Sequence, residues 1–596
     1  MQQKRWVERN DLQGVIPEGL HENRHIAKLL YQRGLTTPEE VRKFFHPDMA
    51  DLHDPFEMQD MDKAVDRVWQ AINHKEKIFV YGDYDVDGTT AVAVVYSFLA
   101  FCGANLDFFI PDRYEDGYGL CRRGIDYVHQ RGAKLLIVLD CGIKDHEEVR
   151  YAKEKGIDII VADHHRPGDT LPEAYAVLDP KRIDCRYPYP DLSGCGVGFK
   201  LIQACVQKQF PNPHEREAVM AERVYSLLDL VAISIASDIV PITGENRILS
   251  YYGLKQINTK PSAGIETLLK YSHVLPQGGH TGLYFNKELT NSDLVFLIGP
   301  RINAAGRIAN GKEAIKLLLC KDPAEAQKIG DKINSFNTER KSLDHQATDE
   351  ALAEINADEK LKKAPVTVVF QPHWSQGIIG IVASRLTETY YRPTIVFTKS
   401  RTGDTLVGSA RSVKGFDIYD AIEACKRYLV HFGGHKYAAG LSIRPEDYEA
   451  FREAFMRSVS ERLQDTVPMP EIEIDDELNF SEITPDFFRE LCRFAPFGPR
   501  NPLPVFKSTH IKDSGNGTSK IIKNTHLKAS LFQELGDRNP VIKEGIAFQY
   551  GHLYDAIVRQ KRSVDICYSI EENSWRNLPP TLQLNIKDIR FTESLF

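Results

Sequence analysis

The chain has 596 residues, of which 42% are hydrophobic, 27% charged and 10% aromatic. That length exceeds a single core and implies several domains of ~100–200 residues, while 40 Gly and 31 Pro are too ordinary for a collagen-like or low-complexity chain. The net charge of -8 neither demands nor excludes a polyanionic substrate, because a metal site built from carboxylates supplies negative charge of its own.

No apolar run reaches the ~18–20 residues of a membrane span. MQQKRWVERNDLQG lacks the apolar centre of a signal peptide. Ten cysteines without a CxxC pair argue against a zinc ribbon or disulfide framework and fit a reducing cytoplasm. In chain order, residues 1–70 read as a helical lead-in. AKLLYQRGL (27–35) has helical apolar spacing and stops at Gly34; TPEEVRKFF (37–45) offers Thr37 as N-cap and Pro38 in the first turn.

From about residue 77 the period changes. KIFV (77–80), LDFFI (106–110), KLLIVL (134–139) and DIIVA (158–162) are short apolar runs separated by helical stretches such as 89–101 and 146–156. Buried parallel strands with crossover helices produce this pattern, so an α/β doubly wound sheet is expected. Residues 198–260 read as helical, and 288–307 as a segment ending in a glycine-containing loop. The stretch 312–355 reads as a long connecting helix broken at Pro323. A second, smaller α/β domain begins at PVTVVF (365–370) and runs through a helix at 378–390 and PTIVF (393–397). The acidic EIEIDDE (472–478) follows, and 500–596 reads as a small β-barrel.

Chemistry concentrates at the predicted strand ends. VYGDYDVDGTTA (80–91) sets Asp83, Asp85 and Asp87 at alternate positions after a strand. Carboxylates this close raise one another's pKa unless a cation sits among them. An EF-hand loop opens the same way, but its twelfth position here is Val94, and a strand rather than a helix precedes it. The third strand ends in Asp140 and the fourth in Asp163-His164-His165. In an open α/β sheet ligands bind outside the carboxyl ends of the strands, so all three ends share one rim. Carboxylates with one or two imidazoles and no thiolate suit Mn²⁺ or Mg²⁺, and their number allows two ions sharing a bridging carboxylate.

These segments, with an Asp in a following helix, resemble the four motifs of the DHH phosphoesterase superfamily. GPRINAAGR (299–307), GIIGIVASRL (377–386) and GSARSVKGFD (408–417) resemble signatures of its RecJ family. GGHKYAAG (433–440) resembles the glycine-rich core of the DHH-associated domain, and the C-terminal region resembles the family's OB barrel. The resemblance implies five segments: the lead-in to 70, a DHH domain at 71–310, a connecting helix at 311–360, a DHH-associated nucleic-acid-binding domain at 361–465 and an OB-fold-like domain at 466–596.

It further implies a 5′→3′ exonuclease specific for single-stranded DNA, using two divalent ions in DNA repair and recombination. The implied metal ligands are Asp85, Asp87, Asp140, His164 and Asp238, with Asp140 bridging. Asp83 supports the first metal, and His165 contacts the scissile phosphate. For the fourth motif Asp229 competes with Asp238; the family's ligand sits just before a helix end, which favours Asp238. Arg301, Asn303, Arg307, Ser409, Arg411 and Ser412 fall in segments that approach substrate, and an Arg fork suits phosphate. Gly433, Gly434, His435 and Lys436 form a loop that can take a phosphate backbone, and Arg113, Tyr114 and Tyr118 lie where a base could stack. The implied partners are single-stranded DNA, single-strand binding protein and a helicase; a cytoplasmic monomer is expected, with no membrane contact. One departure is His373-Trp374-Ser375, where the family usually carries Trp-His.

Two rivals remain at this point. One is a DHH phosphodiesterase of short oligoribonucleotides or cyclic dinucleotides, which would lack the barrel. The other is a non-catalytic relative, which would have lost metal ligands.

Overall fold

The computed structural model describes residues 4–9, 14–277, 282–401, 403–464, 468–534, 540–573 and 581–592. Its contacts divide the chain into two units, one made of Met1–Asp51, Pro241–Thr243 and Glu471–Phe596, the other of Leu52–Val240 and Gly244–Pro470. No helix among the described residues is long and apolar enough to cross a membrane.

The first unit begins with strand β1 (Arg5–Glu8) and helices Arg24–Gln32 and Pro38–Phe45. Thr37 caps the second of these in a reciprocal box with Glu40, satisfying two helix-end N–H groups. The strand departs from the all-helical lead-in expected of these residues. Its hydrogen-bonding partner, Glu471–Ile474, lies at the other end of the sequence, beyond the reach of local periodicity.

In the second unit, β2 (Lys77–Gly82), β3 (Asn105–Phe109), β4 (Ala133–Leu139), β5 (Asp158–Ala162) and β6 (Ala176–Leu178) form an all-parallel sheet in the order β3-β2-β4-β5-β6. Phe79, Tyr81, Leu136 and Val138 on one face pack against Ile125, Val128, Val149 and Ala152 of the crossover helices. The strands are buried almost throughout, which is why they read as continuous apolar runs. The order reverses between β2 and β4, so the ends of these two strands flank the switch point where such sheets bind ligands.

Helix Lys312–Leu319 leads to the 35-residue helix Pro323–Ala357, with Pro323 in the first turn and Asp322 accepting from the Glu325 N–H at 2.8 Å. The second sheet follows: β7 (Thr367–Phe370), β8 (Thr394–Lys399), β9 (Leu406–Arg411), β10 (Leu429–His435) and β11 (Ala438–Ile443), ordered β10-β11-β9-β8-β7. Only β7 and β8 pair in parallel. Helix Ile379–Tyr390 and the end of the long helix cover one face, helices Ile418–Glu423 and Tyr448–Leu463 the other.

The first unit resumes with β12 (Glu471–Ile474), β13 (Asp476–Glu477), β14 (Phe506–Asp513), β15 (Lys520–Ile522), β16 (His526–Gln533), β17 (Ile542–Ala547), β18 (Val564–Asn573) and β19 (Thr581–Phe591). Strands β14, β18, β19, β17 and β16 form a ring that the β14–β16 pairing closes into a barrel. Closure removes the free edges of an open sheet. β12 pairs in parallel with β1, and Arg9 reaches Glu473 and Asp475 at 2.7 Å each. The acidic stretch is thereby neutralised within its own unit. Ile26, Leu29 and Leu30 of the first helix share a core with Phe494, Phe506 and Tyr568.

Candidate active site

The loop after β2 runs directly into helix Val86–Phe101, and Asp85 is its N-cap, accepting from the Gly88 N–H at 3.1 Å. Position 88 must be glycine: a Cβ there would stand 2.4 Å from the Asp83 carbonyl oxygen. Asp87 is buried and held by three donors: Gly194 N–H at 2.7 Å, Cys195 N–H at 2.8 Å and Ser234 Oγ at 2.6 Å. Asp140, at the end of β4, adopts a left-handed backbone with φ 59°. Its carboxylate packs so closely on Gly194 that a Cβ at that glycine would lie 2.6 Å from Oδ1.

His164 follows β5 and is buried. Its Nδ1 lies 3.0 Å from the Leu192 carbonyl oxygen, which fixes the proton on that nitrogen. Nε2 is left without a hydrogen bond and faces Asp140 at 3.2 Å, Asp238 at 3.6 Å and Asp87 at 3.7 Å. A buried lone pair surrounded by carboxylates is an incomplete arrangement that a cation completes. Two donor sets meet there, Asp87–His164–Asp238 and Asp140–His164–His165, the donor atoms of each lying within 4.8 Å of one another. Asp238 ends helix Leu228–Ser237 as its C-cap. Asp229 points elsewhere: it is buried, accepts from the Leu230 N–H at 2.8 Å, and belongs to neither set. Asp85 and Asp83 also lie outside both sets, although their charges act on the same carboxylates.

Electrostatics match this geometry. Burial, then the charges of Asp87, Asp85 and Asp238, hold Asp140 well above the usual carboxylate range. Burial and Asp85 do the same to Asp83, burial and Asp87 raise Asp85, and Asp238 is pushed up to about 8 by burial and Asp87. A divalent cation removes this conflict, and oxygen donors with one imidazole suit Mn²⁺ or Mg²⁺.

His165 differs from its neighbour. Burial lowers its pKa, but the hydrogen bond to Asp163 at 2.8 Å and the charges of Asp163 and Asp238 outweigh this and raise it to about 9. Held by Asp163, its ring can join the Asp140–His164–His165 donor set or, when protonated, donate to a phosphate oxygen. Tyr118 donates to the Asp140 carbonyl oxygen at 3.1 Å, and its ring meets His165 edge-on.

A second charge cluster is basic. Arg113 lies over the Tyr84 ring at 4.4 Å, and its Nε is buried without a hydrogen bond. Arg307 donates to the Gly377 carbonyl oxygen at 2.8 Å and is pushed down to about 9 by burial and the neighbouring charges of Arg113, Arg340 and Arg411. Arg411, on β9, donates to Ser409 Oγ at 3.1 Å and is lowered by burial and Arg113. His435 is lowered by burial and by the charges of Arg411 and His165. These groups are therefore electrostatic neighbours, and cations crowded together in this way favour an anion. Asn303 is half-buried on the same helix as Arg307, Ser412 donates to the Phe416 carbonyl oxygen at 2.8 Å, and Lys436 stands 5.6 Å from the Tyr437 ring centre.

Two expectations are corrected. GPRINAAGR forms helix Gly299–Ile308 rather than a loop, and Arg301 is buried, donating to the carbonyl oxygens of Leu297 and Tyr271. Two of its N–H groups brace the helix while its Nε has no hydrogen bond; the sequence shows an Arg but not the carbonyls awaiting it. Gly433, Gly434 and His435 are not in a loop but in edge strand β10, paired with Gly440, Ala439 and Ala438. Their outward side remains exposed. Two supporting groups went unread, Ser234 holding Asp87 and the Leu192 carbonyl fixing His164, and Asp163 was read at its strand end but not as the group orienting His165. Ser193, capping helix Gly194–Gln209 among glycines, was the one local sign that this helix start abuts the rim.

A carboxylate and imidazole rim at the switch point of a parallel sheet, with a second α/β domain bringing cations to it, defines a metal-dependent phosphoesterase of the DHH type. Three family models match: the DHH family N-terminal domain at residues 77–235, the DHHA1 domain at 363–461 and the RecJ OB domain at 474–588. The single-stranded-DNA-specific exonuclease RecJ of Bacillus subtilis (strain 168) is 35% identical over 99% of this chain and 71% of its own length. That of Escherichia coli (strain K12) is 34% identical over 95% of each chain. The crystal structure of RecJ from Thermus thermophilus in complex with Mn²⁺ superposes with a TM-score of 0.77 at 27% identity, covering 96% of this chain and 76% of that one; the Mg²⁺ complex gives 0.72 at 25% identity. The chain belongs to the RecJ family of metal-dependent exonucleases.

Proposed function

We propose that this protein degrades single-stranded DNA from the 5′ end by two-metal hydrolysis, as a cytoplasmic monomer serving repair and recombination beside single-strand binding protein and a helicase. The observation that carries the polarity is the arginine cluster next to the carboxylate rim. A 5′ end can present a phosphate, whereas a 3′ end presents a hydroxyl that needs no cations. Arg113, Arg307 and Arg411 would hold the terminal phosphate, which leaves the next linkage at the rim.

Asp85, Asp87, Asp140, His164 and Asp238 would hold two divalent ions, Asp140 serving both. Bound there, the ions supply Lewis acidity, which lowers the pKa of water and neutralises charge on the phosphoryl oxygens. Protonated His165, oriented by Asp163, would donate to a non-bridging oxygen of the scissile phosphate. Tyr118 offers an aromatic face for a base. The complete ligand set and the closed barrel favour this reading over a scaffold or a small-oligonucleotide phosphodiesterase.

The test is cleavage of end-labelled substrates resolved by length. A 5′-overhang should be trimmed towards the junction, with blunt duplex and 3′-overhang nearly inert. Mononucleotide release from the 3′ end would overturn the polarity. In the same assay Asp238→Ala should lose far more activity than Asp229→Ala.

A further inference from the structure

A pocket of about 270 Å³ lies on the second α/β domain, between the segment after helix Ile418–Glu423 and helix Tyr448–Leu463. Arg427, Arg457, Arg462, Tyr428 and Cys425 line it, and Glu461 is the single acid in its wall. The lining thus carries a surplus of two positive charges in a chain whose net charge is -8.

These arginines are not consumed by the fold. Arg427 lies over the Tyr428 ring at 4.5 Å and donates to its hydroxyl. Arg462 gives one N–H to the Asp420 carbonyl oxygen at 3.1 Å. Arg457 stands one helical turn before Glu461, where an ion pair would be the ordinary surface arrangement, yet among the described residues it makes neither ion pair nor hydrogen bond. Their charges converge on one point: burial pushes the Cys425 thiol up to about 11, and these three arginines are the influences opposing it. Each guanidinium has five donors, so most remain free for oxygens of a ligand.

The pocket also has a direction. Tyr428 in its wall is followed at once by edge strand β10, where Val430, His431, Gly433, Gly434 and His435 are exposed. At the far end, His435 feels the charges of Arg411 and His165. The exposed edge of β10 therefore runs from the pocket to a residue that is an electrostatic neighbour of Arg411 and of His165 at the rim. Seven strand steps from Tyr428 to His435 span ~23 Å. At the ~3.4 Å per nucleotide of a stacked strand, the length of β10 alone corresponds to about seven nucleotides, more than a five-nucleotide strand spans.

We propose that this pocket receives an internal phosphate of the single strand, and that it marks the distal end of a substrate track along β10. The proposal rests on the exonuclease reading but is tested apart from it. Oligothymidylates of five and thirty nucleotides, both 5′-phosphorylated, would be compared on wild type and on the double variant Arg427→Gln, Arg457→Gln. On the 30-mer, KM should rise about tenfold with kcat unchanged, and the slope of log KM against log salt should become shallower by ~0.7, the value for one phosphate of a single strand. On the 5-mer neither constant should move, which also shows that the variant is folded. Arg457→Glu alone should raise KM on the 30-mer more than Arg457→Gln.

Equal KM changes on both lengths, or none on either, would overturn the proposal. So would calorimetric binding of inorganic phosphate that the double variant loses, combined with an unchanged 30-mer KM, since the pocket would then serve free phosphate. If wild type cleaves neither oligonucleotide the exonuclease reading fails; anisotropy of a labelled 30-mer, with and without the two arginines, still decides the pocket.

Discussion

Two clusters of titratable side chains show opposite designs. At the rim, Asp83, Asp85, Asp140 and Asp238 all stand above the ordinary carboxylate range because they are buried beside one another. In the first unit, buried His25 lies 2.5 Å from Asp476 and 3.1 Å from Glu482, with Lys28 also 2.6 Å from Asp476. There the shifts run the other way. The Asp476 hydrogen bond raises His25, while burial of Asp476 and Glu482 is outweighed by their hydrogen bonds, so both carboxylates fall. The second cluster is complete in itself and stabilises the fold. The first is complete only with ions added, and the mutual repulsion of its carboxylates without them marks it as built for function.

The sharpest way to break this contrast is Asp140→Asn. Activity should drop by more than ~100-fold, because the carboxylate proposed to serve both ions is gone. Melting without divalent ions should nevertheless move up, since one buried like charge is removed. A lowered metal-free Tm would mean that Asp140 stabilises the fold as Asp476 does.

Next in size is Arg411→Ala. It should raise KM for a 5′-phosphorylated strand by ~10–100-fold, as expected for removing a charge-assisted hydrogen bond of about 1.5–3 kcal/mol. A 5′-hydroxyl strand should be affected much less. Equal losses on both would remove the terminal phosphate from this site.

Divalent ions themselves sharpen the comparison. Mn²⁺ should raise the stability of the second unit by RT ln(1 + [L]/Kd), about 2.7 kcal/mol at a hundredfold excess over Kd, read as a higher Tm. Asp238→Ala should reduce that gain, and Asp229→Ala should leave it intact.

The smallest effect is the pH response of the first unit. His25 has a folded pKa above 6.5, so its pairing is fully present below pH 6.5 and is lost as pH rises through the raised value. Asp476 and Glu482 have lowered values, so their contribution is lost as pH falls through the acid range. The unit should melt highest between these limits. His25→Gln should cost ~1–3 kcal/mol by taking the imidazolium from Asp476 and leaving it Lys28 alone, and should flatten the alkaline side of the profile.

The parallel sheet and its rim were legible because buried strands write continuous apolar runs and ligands gather at their carboxyl ends. Asp87, Asp140 and His164 could be placed from strand ends alone. The choice between Asp229 and Asp238 needed the helix end, which local pattern resolves poorly. Arg301 shows the limit: its use depends on carbonyls of Leu297 and Tyr271, one of them 30 residues away. The GGHKYAAG segment reads as a loop because glycines punctuate turns. It is a strand because β11 supplies a ladder that glycine propensity alone does not reveal.

The pairing of β1 with β12 has a consequence for synthesis. The first 51 residues share a unit with residues that begin at Glu471. At ~5–20 residues per second, the roughly 420 intervening residues take on the order of 20–80 s to emerge. For that interval Ile26, Leu29 and Leu30 are outside the ribosome without the barrel they pack on, while the residues of the second unit are completed. The fold is thus assembled from the middle outward, and the nascent amino-terminal helices are the stretch with the longest need of a chaperone.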